Sequence, residues 1–172
     1  MKTRFWLSAL VLLLAASIAR AEEDGMITTS FSKIVNSMQP LPWAVVTGFE
    51  SQHVGGHSEL NEHNRGIGVR AEGGWVIGEY YNSYRRYSVY AGREFQWRLL
   101  GEGDNGVNFG VVAGAVSGYL DGITFGHEHG INLMAVPEFI ATTRYAEIAL
   151  MYIPEMTKTP ATFAVQLRIR WP

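Results

Sequence analysis

The 172 residues include no cysteine, which removes disulfide frameworks, thiolate nucleophiles and cysteine-based metal sites together. Long apolar runs are scarce as well. The one strongly apolar stretch, Phe5–Ala16 within MKTRFWLSALVLLLAASIARA, is shorter than the ~20 residues a spanning helix needs. With Lys2 and Arg4 before it and Ala19-Arg20-Ala21 after it, it has the form of a secretory signal peptide cleaved after Ala21. Basic charge is also in short supply. Without Lys2, Arg4 and Arg20, 11 basic residues face 16 acidic ones, a net charge of −5, and a nucleic-acid partner is disfavoured. The ~150 residues that follow the signal fit a single domain.

What the chain does contain is alternation with a period of two, broken at short intervals by Gly, Asn and charged clusters. In Phe163–Trp171 the apolar residues Phe163, Val165, Leu167, Ile169 and Trp171 are interleaved with Ala164, Gln166, Arg168 and Arg170. One face of such a strand suits hydrocarbon and the other suits water. The same reading predicts strands near 43–53, 64–71, 74–83, 87–100, 106–119, 131–141, 144–153 and 161–171. Several have the nine to eleven residues of a tilted membrane strand.

A soluble barrel would point its apolar face inward, and alternation alone does not give the sense. Export without cysteine, aromatics at strand ends (Trp75, Tyr80, Tyr81, Tyr87, Tyr90, Trp97) and a last amphipathic strand closed by Trp171 favour the membrane form. The expected fold is all-β: an eight-stranded antiparallel transmembrane barrel over 43–172. It follows a signal peptide over 1–21 and a leader over 22–42. In the leader, Phe31, Ile34, Val35 and Met38 have helical spacing before Pro40 and Pro42, which predicts a short amphipathic helix.

With both termini periplasmic, as an even number of strands requires, the first and third strands end on the same extracellular rim, at His53 and at Asn82-Ser83. A base and a hydroxyl there could serve acyl transfer. Parity places Ser83 on one face with Trp75, Ile77, Glu79 and Tyr81; since Glu79 should avoid lipid, Ser83 is expected to face the lumen. His53 shares parity with Val45 and Phe49, which turns it outward unless a bulge intervenes near Gly48 or Ser51.

Three segments carry a resemblance: NSYRRYSVYAGREFQW (Asn82–Trp97), FGVVAGAVSGY (Phe109–Tyr119) and MYIP (Met151–Pro154). Together they make the chain resemble the PagP family of outer-membrane lipid A palmitoyltransferases. Similarity is low residue by residue and runs over most of the chain after the signal. The resemblance implies a monomeric barrel in the outer membrane of a Gram-negative bacterium, acting on phospholipid and lipopolysaccharide without a cofactor. It assigns His53 and Ser83 to the family's catalytic histidine and serine. Asn82 stands where the family has aspartate, a departure that removes the negative charge expected to stabilise imidazolium. Glu50 or Glu79 could supply a carboxylate instead, and His57 and His63 compete with His53 for the histidine position. Pro137 and Pro154 take the place of prolines that interrupt sheet pairing to admit lipid laterally, as the missing N–H requires. Arg85 and Arg86, at a hairpin tip, are expected to hold lipid A phosphates.

The family measures acyl length by the depth of an apolar lumen, whereas here Glu94 falls near the expected floor. Glu94, Arg98, Glu147, Arg168 and Arg170 are expected to form a polar plug in the lower barrel. The loop residues His57, Glu59, Glu62, His63, His127 and His129 match no closed metal site, and none is expected. Two other functions remain open: a catalytically silent barrel with a structural or surface-modifying role, and a lipid A deacylase or phospholipase.

Overall fold

A computed structural model describes residues 38, 40–55, 59–119, 130–155 and 160–171. The signal segment, Phe31, Ile34 and Val35 of the expected helix, His57, and the His127/His129 pair lie outside the described residues. Eight antiparallel strands close into one barrel in sequence order. They are β1 (Trp43–His53), β2 (His63–Arg70), β3 (Trp75–Tyr81), β4 (Tyr87–Glu102), β5 (Asn105–Ser117), β6 (Ile131–Thr142), β7 (Ala146–Ile153) and β8 (Thr162–Trp171). No α-helix occurs among the described residues; a 3-10 turn, Glu72–Gly74, joins β2 to β3. Closure pairs the first strand with the last, Trp43 opposite Trp171 and His53 opposite Thr162, so no sheet edge is left along the seam.

Alternation sorts the side chains by chemistry. Val45, Ile67, Val69, Ile77, Leu133, Phe139, Ile148, Leu150, Val165, Leu167 and Ile169 are exposed on the outer wall. Arg70, Glu94, Gln96, Asn108, Glu138, Glu147 and Arg168 are buried inside. Aromatic residues mark both ends of the outer wall, with Trp43, Trp75, Tyr145 and Trp171 toward one rim and Tyr87 and Tyr152 toward the other.

Space inside so small a barrel is limited, and glycine provides it where an aromatic side chain must fit. A Cβ on Gly68 or Gly78 would come within 2.5 or 2.6 Å of the Tyr90 hydroxyl. These two residues are paired across β2 and β3, and together they form the recess into which Tyr90 folds.

One irregularity decides the orientation of the outer end of β1. The pairing of β1 shifts register around Gly48 against both neighbours, between Thr47 and Phe49 on the β2 side and between Val46 and Phe49 on the β8 side. The extra residue reverses parity. Ala44 and Val46 are buried before the bulge, and Ser51 and His53 after it. Only glycine fits at the bulge, because a Cβ would lie 2.2 Å from the Asn64 carbonyl oxygen and 2.4 Å from the Gly66 nitrogen.

Candidate active site

His53, brought inward by the Gly48 bulge, is 5 % exposed. Its backbone N–H donates to Glu62 Oε1 at 3.3 Å, and its Nδ1 lies 3.7 Å from the same oxygen. That second separation is too long for a hydrogen bond and short enough for an ion pair. The Glu62 side chain is half exposed, at 47 %. The carboxylate beside the imidazole is therefore Glu62, next to the start of β2. The two carboxylates expected for this role lie elsewhere: Glu50 pairs with His63, Nδ1 to Oε2 at 2.5 Å, with both side chains exposed, and Glu79 faces outward with Trp75 and Ile77.

The exposure of Glu79 also corrects the parity argument for Ser83. Ser83 does line the lumen, but for another reason: β3 ends at Tyr81, and strand alternation ends with it. Asn82 then builds the turn. It is fully buried, and its Oδ1 accepts the backbone N–H groups of Tyr84 (2.9 Å) and Arg86 (3.0 Å). Its Nδ2 donates to Ser88 Oγ (2.9 Å) and to the Gly118 carbonyl (3.0 Å). This is an Asx turn tied to the neighbouring strand. Asn82 positions Ser83 through the backbone, and all four bonds require an amide that donates as well as accepts. Asn82→Asp would turn a carboxylate oxygen toward the Gly118 carbonyl. It should cost about 2–3 kcal/mol, read from urea unfolding of the barrel in detergent micelles, rather than improve function.

His53 and Ser83 come from different strand ends and line one cavity of about 160 Å³. Its walls are largely apolar, among them Val46, Phe49, Val112, Met134, Val136 and Ile153. A tyrosine group surrounds the mouth. Tyr80 and Tyr119 share a hydroxyl–hydroxyl bond of 2.7 Å, and Tyr84 meets Tyr119 edge to face. Burial pushes the Tyr119 phenol up to about 12, so it remains protonated at neutral pH.

The floor is charged. Arg168 donates Nη1 to Glu94 (2.7 Å) and Nη2 to Glu138 (2.5 Å). Arg70 grips Glu147 with two bonds of 2.7 and 2.8 Å and reaches Glu94 at 3.1 Å. Gln96 donates to Glu94, Asn108 donates to Gln96 at 2.6 Å, and Arg168 Nε donates to Gln166 at 3.1 Å. Below them, Arg170 Nε lies 3.4 Å from Glu147. Three carboxylates are thus matched by three guanidinium groups. The expected plug exists with a different membership. Arg98 is not part of it: it binds the Gly103 and Asn105 carbonyls of its own hairpin. Arg70 and Glu138 are core members that the sequence reading missed. Along their strands Arg70 shares parity with Gly66 and Gly68, and Glu138 with Met134 and Val136, which line the cavity; that parity was the available signal.

The wall is interrupted beside the cavity. Pairing between β6 and β7 runs from Thr142↔Glu147 to Glu138↔Met151 and stops there. Pro137 is the next residue, and Pro154 directly follows β7. Tyr152 and Ile153 continue to pair with β8, while among the described residues β6 from Ile131 to Pro137 pairs with β5 alone. Arg85, with φ 58°, and Arg86 are exposed at the tip of the β3–β4 hairpin. No family model matches this chain, and no curated protein is significantly similar to it.

Proposed function

We propose that this protein is an outer-membrane barrel that moves a fatty acyl chain from a phospholipid to lipid A. The carrying observation is that His53 and Ser83, from different strand ends, line the same largely apolar cavity. Supporting it are an outer wall of exposed hydrocarbon between two aromatic rims, the arrangement suited to lipid, and a stretch of β6 ending at Pro137 that has no β7 partner among the described residues, a side on which a chain could enter.

In the proposed cycle the Ser83 hydroxyl attacks the phospholipid ester as His53 takes its proton. The C–O bond to glycerol breaks, and the proton passes to the departing glycerol oxygen. A lipid A hydroxyl then gives its proton to His53 and attacks the acyl-serine, whose Oγ leaves and is reprotonated. Glu62 steadies the imidazolium formed in each half. Arg85 and Arg86 offer guanidinium groups at the rim for the phosphates of lipid A.

The charged floor limits the donor chain. From the His53–Thr162 rung to Arg168 is six residues along β8, about 20 Å of strand and roughly 15 Å along the axis at a tilt of ~40°. That depth bounds the length of the donor chain.

The test is expression of the full chain in a Gram-negative host lacking endogenous lipid A acylation, with lipid A mass spectra recorded beside Ser83→Ala. The expected result is a gain of one acyl group that disappears in the variant. A lighter lipid A would indicate hydrolysis. An unchanged spectrum with the barrel folded in the outer membrane would overturn the reading in favour of a silent barrel.

A further inference from the structure

Asn132 lies in β6 between two exposed residues, Ile131 and Leu133, and is itself only 1 % exposed, so its side chain faces the lumen. Neither its Nδ2 nor its Oδ1 has a hydrogen-bond partner. Buried polar groups are almost always paired, and an unmade amide carries the full cost of its lost hydration. A ligand that supplied the missing partner would recover that cost.

Three features indicate what kind of ligand. The ladder partner of Asn132, Val116, and the next inward residue of its strand, Met134, both line the apolar cavity. Such walls do not offer the two to four polar partners that a resident water needs, and they fit the hydrocarbon part of a lipid. Secondly, Asn132 stands on the stretch of β6 that, among the described residues, has no β7 partner. The sheet is also interrupted between β2 and β3, where pairing begins only at Gly66↔Tyr80. There, asparagine amides bridge the gap: Asn64 Nδ2 donates to the Tyr81 carbonyl at 3.1 Å, and Asn61 Nδ2 reaches the Asn82 carbonyl at 3.3 Å. The amide on the β6 side finds no such carbonyl. Thirdly, in a closed ring of eight, β6 stands across the lumen from β2, whose neighbours β1 and β3 lead to His53 and Ser83.

We propose that the Asn132 carboxamide donates a hydrogen bond to the carbonyl oxygen of a lipid acyl ester held in the lumen. The proposal rests on the acyl-transfer reading for its catalytic consequence, though not for the binding it predicts. As Ser83 adds to the carbonyl carbon from one wall, negative charge develops on the oxygen turned toward the opposite wall. An N–H donor there binds the oxyanion more strongly than the neutral ester. When the adduct collapses, the carbonyl re-forms, the glycerol C–O bond breaks, and the proton held by His53 goes to the glycerol oxygen.

The experiment uses the full chain in detergent micelles and two probes, a diacyl phospholipid and its dialkyl ether analogue, which lacks the carbonyl. The wild type should bind the ester about tenfold more tightly than the ether, the worth of one buried hydrogen bond. Asn132→Leu should abolish that preference and slow transfer by about 100- to 1,000-fold. No preference in the wild type, or a preference that survives in Asn132→Leu, overturns the proposal. The wild-type comparison stands even if the variant does not fold. An Asn132-dependent preference without any transfer by the wild type would refute the acyl-transfer reading and leave Asn132 as an ester-binding group.

Discussion

Arg168→Met should cost the barrel about 3–5 kcal/mol, the usual effect of removing one partner from a buried charge network. Arg168 is the shared cation of Glu94 and Glu138, bound at 2.7 and 2.5 Å, and its side chain is 3 % exposed. Methionine fills much of the same volume but leaves Glu138 without the guanidinium that neutralises it. Arg70 is already committed to Glu147 through two bonds and cannot move to compensate. Urea unfolding in micelles, followed by tryptophan fluorescence, reads the loss directly. The control is to remove the whole network at once, with Arg70, Arg168 and Arg170 replaced by Met and Glu94, Glu138 and Glu147 by Gln. That variant should recover most of the stability, because a buried network replaced in full is often neutral or better. A single Arg168→Met variant as stable as the parent would show that the floor contributes nothing to folding.

The second large effect concerns catalysis. His53→Ala should lower acyl transfer by about 10²–10⁴-fold, the range for loss of a positioned acid–base group, in initial rates with a phospholipid donor. Glu62→Gln should have a smaller effect, on the order of tenfold, since the Glu62 side chain is half exposed and solvent screens its charge. Neither variant should change unfolding by more than about 1 kcal/mol, because His53 lies at the open end of β1 and Glu62 in the connection before β2. Equal rates for His53→Ala and the parent would place the base elsewhere. The exposed His63–Glu50 pair would then be the next to test.

The positions of all eight strands could be read from the sequence, because a wall with hydrocarbon on one side and polar groups on the other imposes strict alternation. The limits of that reading lie where alternation stops. The bulge at Gly48 could be stated only as a condition, since sequence parity alone turned His53 outward; the backbone contacts that demand glycine there are visible only in three dimensions. Glu79 is exposed with Trp75 and Ile77, so the parity that it sets for Ser83 does not hold. The turn made by Asn82, not strand parity, orients the serine. Glu62 was noticed only as a possible metal ligand, because its approach to His53 depends on how the β1–β2 connection folds back. In the lower lumen, Arg70 and Glu138 were overlooked although their parity was correct, since nothing in a linear chain shows that residues 70 and 147, or 138 and 168, will meet across a barrel.

The charged floor also bears on how the barrel comes together. Its ion pairs join β2 to β7, β4 to β8 and β6 to β8, strands that are not neighbours in the ring. A sheet still open between β1 and β8 would hold Arg70 away from Glu147, and a β8 displaced by one residue would turn Arg168 toward the outer surface. The network therefore acts as a check on assembly: the full set of pairs forms only when β8 is in register and the ring is closed.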